Sequence, residues 1–339
     1  MFCKRSIIIL MAVTALCAVM QPRQILQAFR EETVLLPVKQ GVLEGTWTWP
    51  DGNGPWPAAL LIQGSGPLDR DGNGPGGAGA GEMALLARGL AERGTAVLRF
   101  DKAGTGRSPV IRREEDLRWE DGTEYAVLWT ERMRQRKAVS AFFLIGHSEG
   151  ALTALEAARR TDPDGVVLLA SPGFPAGTVL RLQMISRVPW LYGEADRALS
   201  ELEQGRPAEN TDERLNFLFR PSVQPFLKGL LQDDPRRSIR ALSCPVLMIQ
   251  GDRDSQVGTE NGKALQEAAR DGEFRIISGM NHVLKTVPPD RDSQEESYGN
   301  PLIPLSPGLA DMTARWIQRR ASQRDIQEKT DRENRGQPQ

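Results

Sequence analysis

Histidine is the scarcest reactive residue in this chain: of 339 residues only His147 and His282 carry an imidazole. Any chemistry that needs a neutral-pH base of that kind has two candidates and no more. Cysteine is nearly as rare. Cys3 and Cys17 fall at the extreme N-terminus, so Cys244 stands alone in the remainder and an intramolecular disulfide there is excluded. Just before an apolar run, Cys244 reads as a small packed residue rather than a nucleophile. A surplus of one charge is also missing. The 43 Lys and Arg against 44 Asp and Glu leave a net charge of -1, with the two signs interspersed. No field of the kind that gathers nucleic acid or an anionic membrane results, and nucleic acid is not an expected partner. Long hydrophobic runs are absent with one exception, from Ile7 to Met20, preceded by Lys4 and Arg5 and followed by Gln21-Pro22-Arg23. Residues 1–20 therefore read as a signal peptide of an exported (periplasmic or secreted) protein, with Ala15 and Cys17 offering a small-x-small cleavage site. The alternative is an uncleaved anchor that tethers the protein to a membrane through this segment alone.

What the chain does have is 40% hydrophobic and 26% charged residues, an ordinary globular balance with enough apolar content for a sizeable core. Val34–Val38 and Val42–Trp47, flanking Gln40-Gly41, predict a hairpin. Short, nearly continuous apolar runs follow at Ala58–Gln63, Ala96–Phe100, Phe142–Gly146, Val166–Ala170, Val246–Gln250 and Phe274–Ile277. Such runs suit strands covered on both faces. Between them lie helix-like stretches at Gly81–Arg93, Tyr125–Arg136, Ala151–Arg160, Asn261–Ala269 and Leu309–Arg319, an alternation that predicts a mostly parallel sheet with helices on both faces. The alternation stops between Ala170 and Val246. Four amphipathic pieces, Thr178–Ile185, Ala195–Gln204, Asp212–Phe219 and Pro225–Gln232, predict a helical cap inserted at residues 171–243, leaving 30–170 and 244–320 as the core. The polar tail, residues 321–339, is expected to be disordered.

Residues Phe142–Ile145 lead into Gly146-His147-Ser148-Glu149-Gly150 and then into a helical stretch, which is the strand–turn–helix setting of a nucleophile elbow. Glycines two places either side of Ser148 fit a strained turn in which side chains would clash. A serine hydroxyl needs a base. His147 adjoins the serine with its ring directed away, which leaves His282, after the last expected strand, as general base. The orienting carboxylate should follow the preceding strand, where Asp252 and Asp254 compete. Asp254, further round the turn, is the better placed to reach the imidazole. The order Ser, Asp, His along the chain is that of α/β-hydrolases. Two N–H donors are needed for a tetrahedral oxyanion, and the expected ones are Glu149, following the nucleophile, and Ser65 in the glycine-rich loop after Ala58–Gln63. In that loop Asp69, Arg70 and Asp71 read as an ion-paired lock, and Asp101 likewise as structural. Trp119, Trp129 and Trp190 are candidates to line an acyl pocket, though aromatic residues in such positions more often pack.

Together, GHSEG, the loop GSGPLDRDG, the segment RFDKAGTGRS at Arg99–Ser108 and the Asn281-His282 site resemble α/β-hydrolase acyl esterases. These are related to dienelactone hydrolases and to the prolyl oligopeptidase and proline iminopeptidase families. The resemblance spans roughly residues 30–320. It implies a triad of Ser148, Asp254 and His282, oxyanion donors at Ser65 and Glu149, and a small-molecule ester of short acyl chain as substrate; the serine mechanism itself requires neither metal nor organic cofactor. Gln63 stands where many relatives have histidine, Ala103 interrupts an Arg-Gly pair, and Ala151 replaces a glycine. None of the three touches the triad. Two other functions compete. An exported peptidase or amidase would use the same triad, and a non-catalytic binding protein would more naturally have lost Ser148 or His282. The string Gly74-Pro75-Gly76-Gly77-Ala78-Gly79 matches GxGxxG, but it begins some ten residues after the strand it would have to close, which argues against a dinucleotide site.

Overall fold

The computed structural model describes residues 29–109 and 113–335. The expected signal peptide or anchor at residues 1–20 lies outside the described residues. No helix among those described is long and apolar enough to cross a membrane.

The first two strands, β1 (Phe29–Val38) and β2 (Gly41–Pro50), pair antiparallel in unbroken register. Both run further than their apolar patterns indicate. The extra residues of β1 are held by polar contacts that apolar periodicity does not report: Glu31 accepts from Arg99, and Glu32 accepts from Trp49 Nε1 and Arg136. The chain then alternates through β3 (Trp56–Ile62), α1 (Glu82–Ala91), β4 (Ala96–Phe100), α2 (Trp119–Arg134), β5 (Val139–His147), α3 (Glu149–Thr161) and β6 (Gly165–Leu169). Five helices come next: α4 (Ala176–Arg187), α5 (Tyr192–Glu203), α6 (Asn216–Phe219), α7 (Gln224–Leu230) and α8 (Pro235–Arg240). The chain returns to the sheet with β7 (Val246–Gly251), α9 (Thr259–Ala268) and β8 (Gly272–Ile277), and ends in α10 (Arg291–Gly299) and α11 (Leu309–Arg335).

The eight strands form one sheet in the order β1-β2-β4-β3-β5-β6-β7-β8, antiparallel at β1–β2 and β2–β4 and parallel throughout the rest. In β3 successive side chains serve two cores. Ala58, Leu60 and Ile62 pack with residues of α2, α3, α8 and α9 on one face, while Ala59 and Leu61 pack with α1 and α11 on the other. Helical cover on both sides is why the parallel strands read as continuous apolar runs. The segment between β6 and β7 has its own cluster around Leu199, Leu202, Leu215, Phe219 and Leu227, joined from below by Trp119 and Leu152. The order reverses at the adjacent strands β3 and β5, since the chain leaves β3 toward β4 on one side and re-enters at β5 on the other. A crevice opens above the carboxyl ends of strands at such a point.

The tail expectation needs correcting. Residues 321–335, expected to be disordered, continue α11 as helix to Arg335, and only Gly336–Gln339 lie outside the described residues. No glycine or proline interrupts 321–335, and Arg, Gln, Glu and Lys are good helix formers. Leu309, Trp316 and Ile317 seat the first part of this helix in the core, and beyond them Arg320 pairs with Asp271 and Glu273 and Arg324 pairs with Asp164, charged contacts that carry the helix onward. Helix α2 also starts six residues before the expected Tyr125, because Asp121 accepts from the Arg118 N–H at 2.7 Å and closes the first turn without a Ser or Thr cap. Helix α10, polar except for Tyr298 and Gly299, has no apolar period to announce it. The GxGxxG string forms a short 3-10 turn at Pro75–Gly77 inside a loop and closes no strand.

Glu82, at the start of α1, is buried with Oε2 unpartnered, and burial pushes its pKa up to about 7. Its folded-state pKa lies above the unfolded value, so the associated stability is complete below about pH 4.5 and is lost as pH rises through about 7. Glu82→Gln should remove that loss. Urea midpoints of the two proteins should diverge between pH 5 and 8, the variant becoming the more stable by an amount on the order of 3 kcal/mol; parallel curves would contradict the assignment.

Candidate active site

Strand β5 ends at His147 and α3 begins at Glu149, leaving Ser148 as the whole of the turn, at φ 53° and ψ -123°. A non-glycine residue held there costs about 1–3 kcal/mol and persists only where its surroundings enforce it. Here they do. A Cβ on Gly146 would lie 2.3 Å from the Gly150 carbonyl oxygen, and one on Gly150 would lie 2.4 Å from that of Ile62. The two glycines thus let α3 press against both the end of its own strand and the end of β3. The Ser148 N–H is tied to the Leu169 carbonyl at 2.9 Å.

The hydroxyl faces His282. Ser148 Oγ and His282 Nε2 are 3.0 Å apart, and His282 Nδ1 is 2.8 Å from Asp254 Oδ2. The Asp254 side chain is fully buried and that of His282 is 8% exposed. Asp254 Oδ1 accepts from the Gln256 and Val257 N–H groups at 2.8 and 2.9 Å, which fixes the carboxylate and leaves Oδ2 for the imidazole. The loop is braced beneath by Gln250, whose Nε2 donates to the Val257 carbonyl at 3.0 Å. Asp252, its rival, is exposed and accepts instead from Gly279 N and Ser278 Oγ at 2.6 and 3.0 Å, steadying the loop that carries His282.

His147 is buried and turned from the serine. Its Nε2 lies 2.8 Å from the His282 carbonyl oxygen, so that nitrogen carries the proton and donates. Burial depresses its pKa to about 3, which keeps the ring neutral. A supporting role for His147, holding the backbone of the other histidine, was not visible in the sequence; only adjacency to Ser148 marked it. The His282 loop is further closed by Asn281, which donates from Nδ2 to Ser297 Oγ at 2.8 Å in α10 and accepts the Lys285 N–H at 3.1 Å.

Across the crevice, Gly64 approaches so closely that a Cβ there would be 3.2 Å from the Cβ of Ser148. Ser65 is exposed beside it, and Glu149 supplies a first-turn amide of α3, one of those left without an intrahelical acceptor. The loop that follows is locked as its charges suggest. Arg70 bonds Asp101, Glu44 and Thr46, Asp71 accepts from Arg99, and Asp69 Oδ1 accepts from the N–H groups of Asp71 and Asn73. Asp101 also accepts from Arg107 N, and the guanidinium of Arg70 with these amides outweighs burial to hold its pKa below the usual carboxylate range. Gln63, buried, donates to the Phe100 carbonyl at 2.9 Å and ties the ends of β3 and β4. Of the three tryptophans, Trp129 is fully buried against Phe100, and Trp119 is buried in the cluster of the α4–α8 segment and donates to Asp233. Trp190 is 69% exposed. Burial raises the Cys244 thiol to about 12, consistent with a packed residue.

The family described as serine aminopeptidase, S33, matches residues 76–286, a span that holds the elbow, the carboxylate and the histidine. The chain belongs to the S33 serine aminopeptidase family of hydrolases. This S33 member is 31% identical over 261 residues to Esterase EstD of Thermotoga maritima, across 71% of this chain and 58% of that protein. The chain therefore spans somewhat over half the length of this curated relative. Among solved structures, it superposes on the esterase domain of a Rhodothermus marinus protein with a TM-score of 0.53 at 22% identity, covering 86% of this chain and 98% of that one. It superposes on the proline iminopeptidase of Mycobacterium smegmatis with a TM-score of 0.56 at 14% identity, covering 86% and 99%. Likeness at these identities establishes the α/β-hydrolase fold.

Proposed function

We propose that this S33 hydrolase cleaves carboxylic esters of short acyl chain, with Ser148 as nucleophile, His282 as general base and acid, and Asp254 as the group that orients the imidazole. The observation that carries the proposal is the continuous hydrogen-bonded line Ser148–His282–Asp254, at 3.0 and 2.8 Å. With Asp254 accepting from Nδ1, the Nε2 lone pair faces the serine hydroxyl. Ser148 Oγ attacks the ester carbonyl as His282 takes its proton. The tetrahedral intermediate collapses to an acyl-enzyme when His282 returns that proton to the departing alcohol. Water, deprotonated by the same imidazole, then attacks the acyl carbon and regenerates the serine. The Ser65 and Glu149 N–H groups are proposed to hold the oxyanion. The export expected from residues 1–20 is part of the same proposal, placing the enzyme beyond the cytoplasmic membrane.

The family's description favours a second reading, cleavage of amino-terminal peptide bonds. An aminopeptidase needs a carboxylate free to receive the substrate ammonium. Among the described residues, three carboxylates near the triad are engaged elsewhere: Glu149 with Lys102, Asp101 with Arg70, Asp252 with the His282 loop. Together with the likeness to Esterase EstD, this supports the ester reading. On p-nitrophenyl acetate or butyrate against aminoacyl p-nitroanilides, kcat/KM should favour the esters by at least about 100-fold, some 3 kcal/mol of transition-state preference. A preference for the anilides would assign the peptidase reading instead.

A further inference from the structure

Lys102 lies in the loop after β4, within the segment RFDKAGTGRS. In the fold its ammonium reaches both halves of the proposed oxyanion hole. Nζ donates to the Gly64 carbonyl at 2.6 Å and the Gly66 carbonyl at 3.2 Å, and lies 3.4 Å from Glu149 Oε1. Its own backbone is fixed, the Lys102 carbonyl accepting from Thr105 N at 3.0 Å and Thr105 Oγ1 at 2.9 Å. The ammonium and the Glu149 carboxylate are only 27% and 14% exposed, so solvent screens their contact incompletely.

We propose that Lys102 is a positioning residue of the oxyanion hole, aligning the Gly64–Ser65 peptide and the Glu149 turn through one cation. The inference rests on Ser148 being the nucleophile. Its physical basis is the geometry of a single peptide unit. The Gly64 carbonyl and the Ser65 N–H belong to the same planar group, and because that bond is trans the two dipole ends point in opposite directions. A cation gripping the carbonyl oxygen therefore fixes where the N–H points. It also draws electron density toward the oxygen, which makes the N–H a stronger donor, as in any polarised chain of hydrogen bonds. The same ammonium offsets the Glu149 carboxylate, which would otherwise sit uncompensated beside a developing negative charge. Both effects grow as the substrate oxygen becomes an oxyanion, and both are weak for the uncharged ester. They belong to the transition state rather than to ground-state binding.

The test uses the full chain with Lys102→Met, Lys102→Gln and Lys102→Arg. For Lys102→Met, kcat on p-nitrophenyl acetate should fall roughly 10–100-fold, less than the loss of a whole oxyanion donor, while KM moves by less than about threefold. A trifluoromethyl ketone, which adds to Ser148 as a tetrahedral oxyanion, should bind more weakly by the same factor. Lys102→Arg should recover part of both losses, because a cation of similar reach remains. Lys102→Gln, which keeps a donor without charge, should fall between Met and Arg, and it serves if the Met variant does not fold. Thermal unfolding reports the fold of each. A Lys102→Met enzyme with kcat within twofold of the parent overturns the inference. So does a kcat loss with ketone affinity unchanged, or one that rises in KM alone. Ser148→Ala is the control for the underlying reading: turnover surviving in that variant would contradict the nucleophile assignment, whereas turnover lost there but retained in Lys102→Met contradicts only the role of Lys102.

Discussion

Exchanging Ser148 for alanine is expected to lower kcat on a short ester by roughly 10⁴–10⁶-fold with KM little altered, and to leave the thermal midpoint nearly where it was. The expectation follows from what the hydroxyl touches. Oγ contacts His282 Nε2, whereas the elbow is shaped by backbone contacts: Ser148 N to the Leu169 carbonyl, the close approach of Gly146 to Gly150, and that of Gly150 to β3. Alanine keeps the Cβ and the same allowed backbone regions, so the turn retains the strain it already carries. Removing the hydroxyl deletes the covalent route and leaves only general-base attack by water and whatever the oxyanion donors supply. Parallel assays of ester turnover and thermal unfolding check this, and unfolding of the variant would locate the role of Ser148 in folding instead.

Asp254→Asn should cost nearly as much, about 10⁴-fold in kcat, while Asp252→Asn should stay within about threefold of the parent. The asymmetry comes from the two amides on Oδ1. Gln256 N–H and Val257 N–H require an acceptor there, so an asparagine would place its oxygen at that position and its NH₂ group where Oδ2 now meets the imidazole. A donor facing Nδ1 forces the proton onto Nε2, and an Nε2–H cannot take the serine proton. The fold would be intact and the imidazole present in the wrong tautomer. Asp252 makes no contact with the imidazole and serves the loop through Gly279 and Ser278, so its substitution touches stability by about 1 kcal/mol and chemistry hardly at all. Steady-state kinetics of the two variants separate the carboxylates. Equal losses would undo the assignment of Asp254.

The features legible in the sequence were those a short string or a strong period encodes. GHSEG lay between an apolar run and a helical one, and steric need fixed its glycines, so the elbow could be placed to the residue. With two histidines in the chain, the base followed by elimination. The parallel strands were recognisable because helices on both faces demand uninterrupted apolar residues. Interactions between distant polar groups stayed hidden. The N-terminal part of β1 is carried by Glu31 and Glu32, and the far end of α11 is docked by Arg320 and Arg324. These depend on partners 17 to 160 residues away, which no local pattern records. The same holds within the site. That His147 steadies the His282 backbone, and that Lys102 joins two loops, became visible only once the strand order brought the ends of β3, β4 and β5 side by side.

The central claim is that one serine attacks. Incubating the full chain with an alkyl fluorophosphonate and mapping the modified peptide by mass spectrometry tests it most directly. A single phosphonyl group on Ser148, formed in step with loss of ester turnover and sharply slowed in His282→Ala, is the predicted result. An adduct on another residue, or full esterase activity in protein whose Ser148 carries the phosphonyl group, would contradict it.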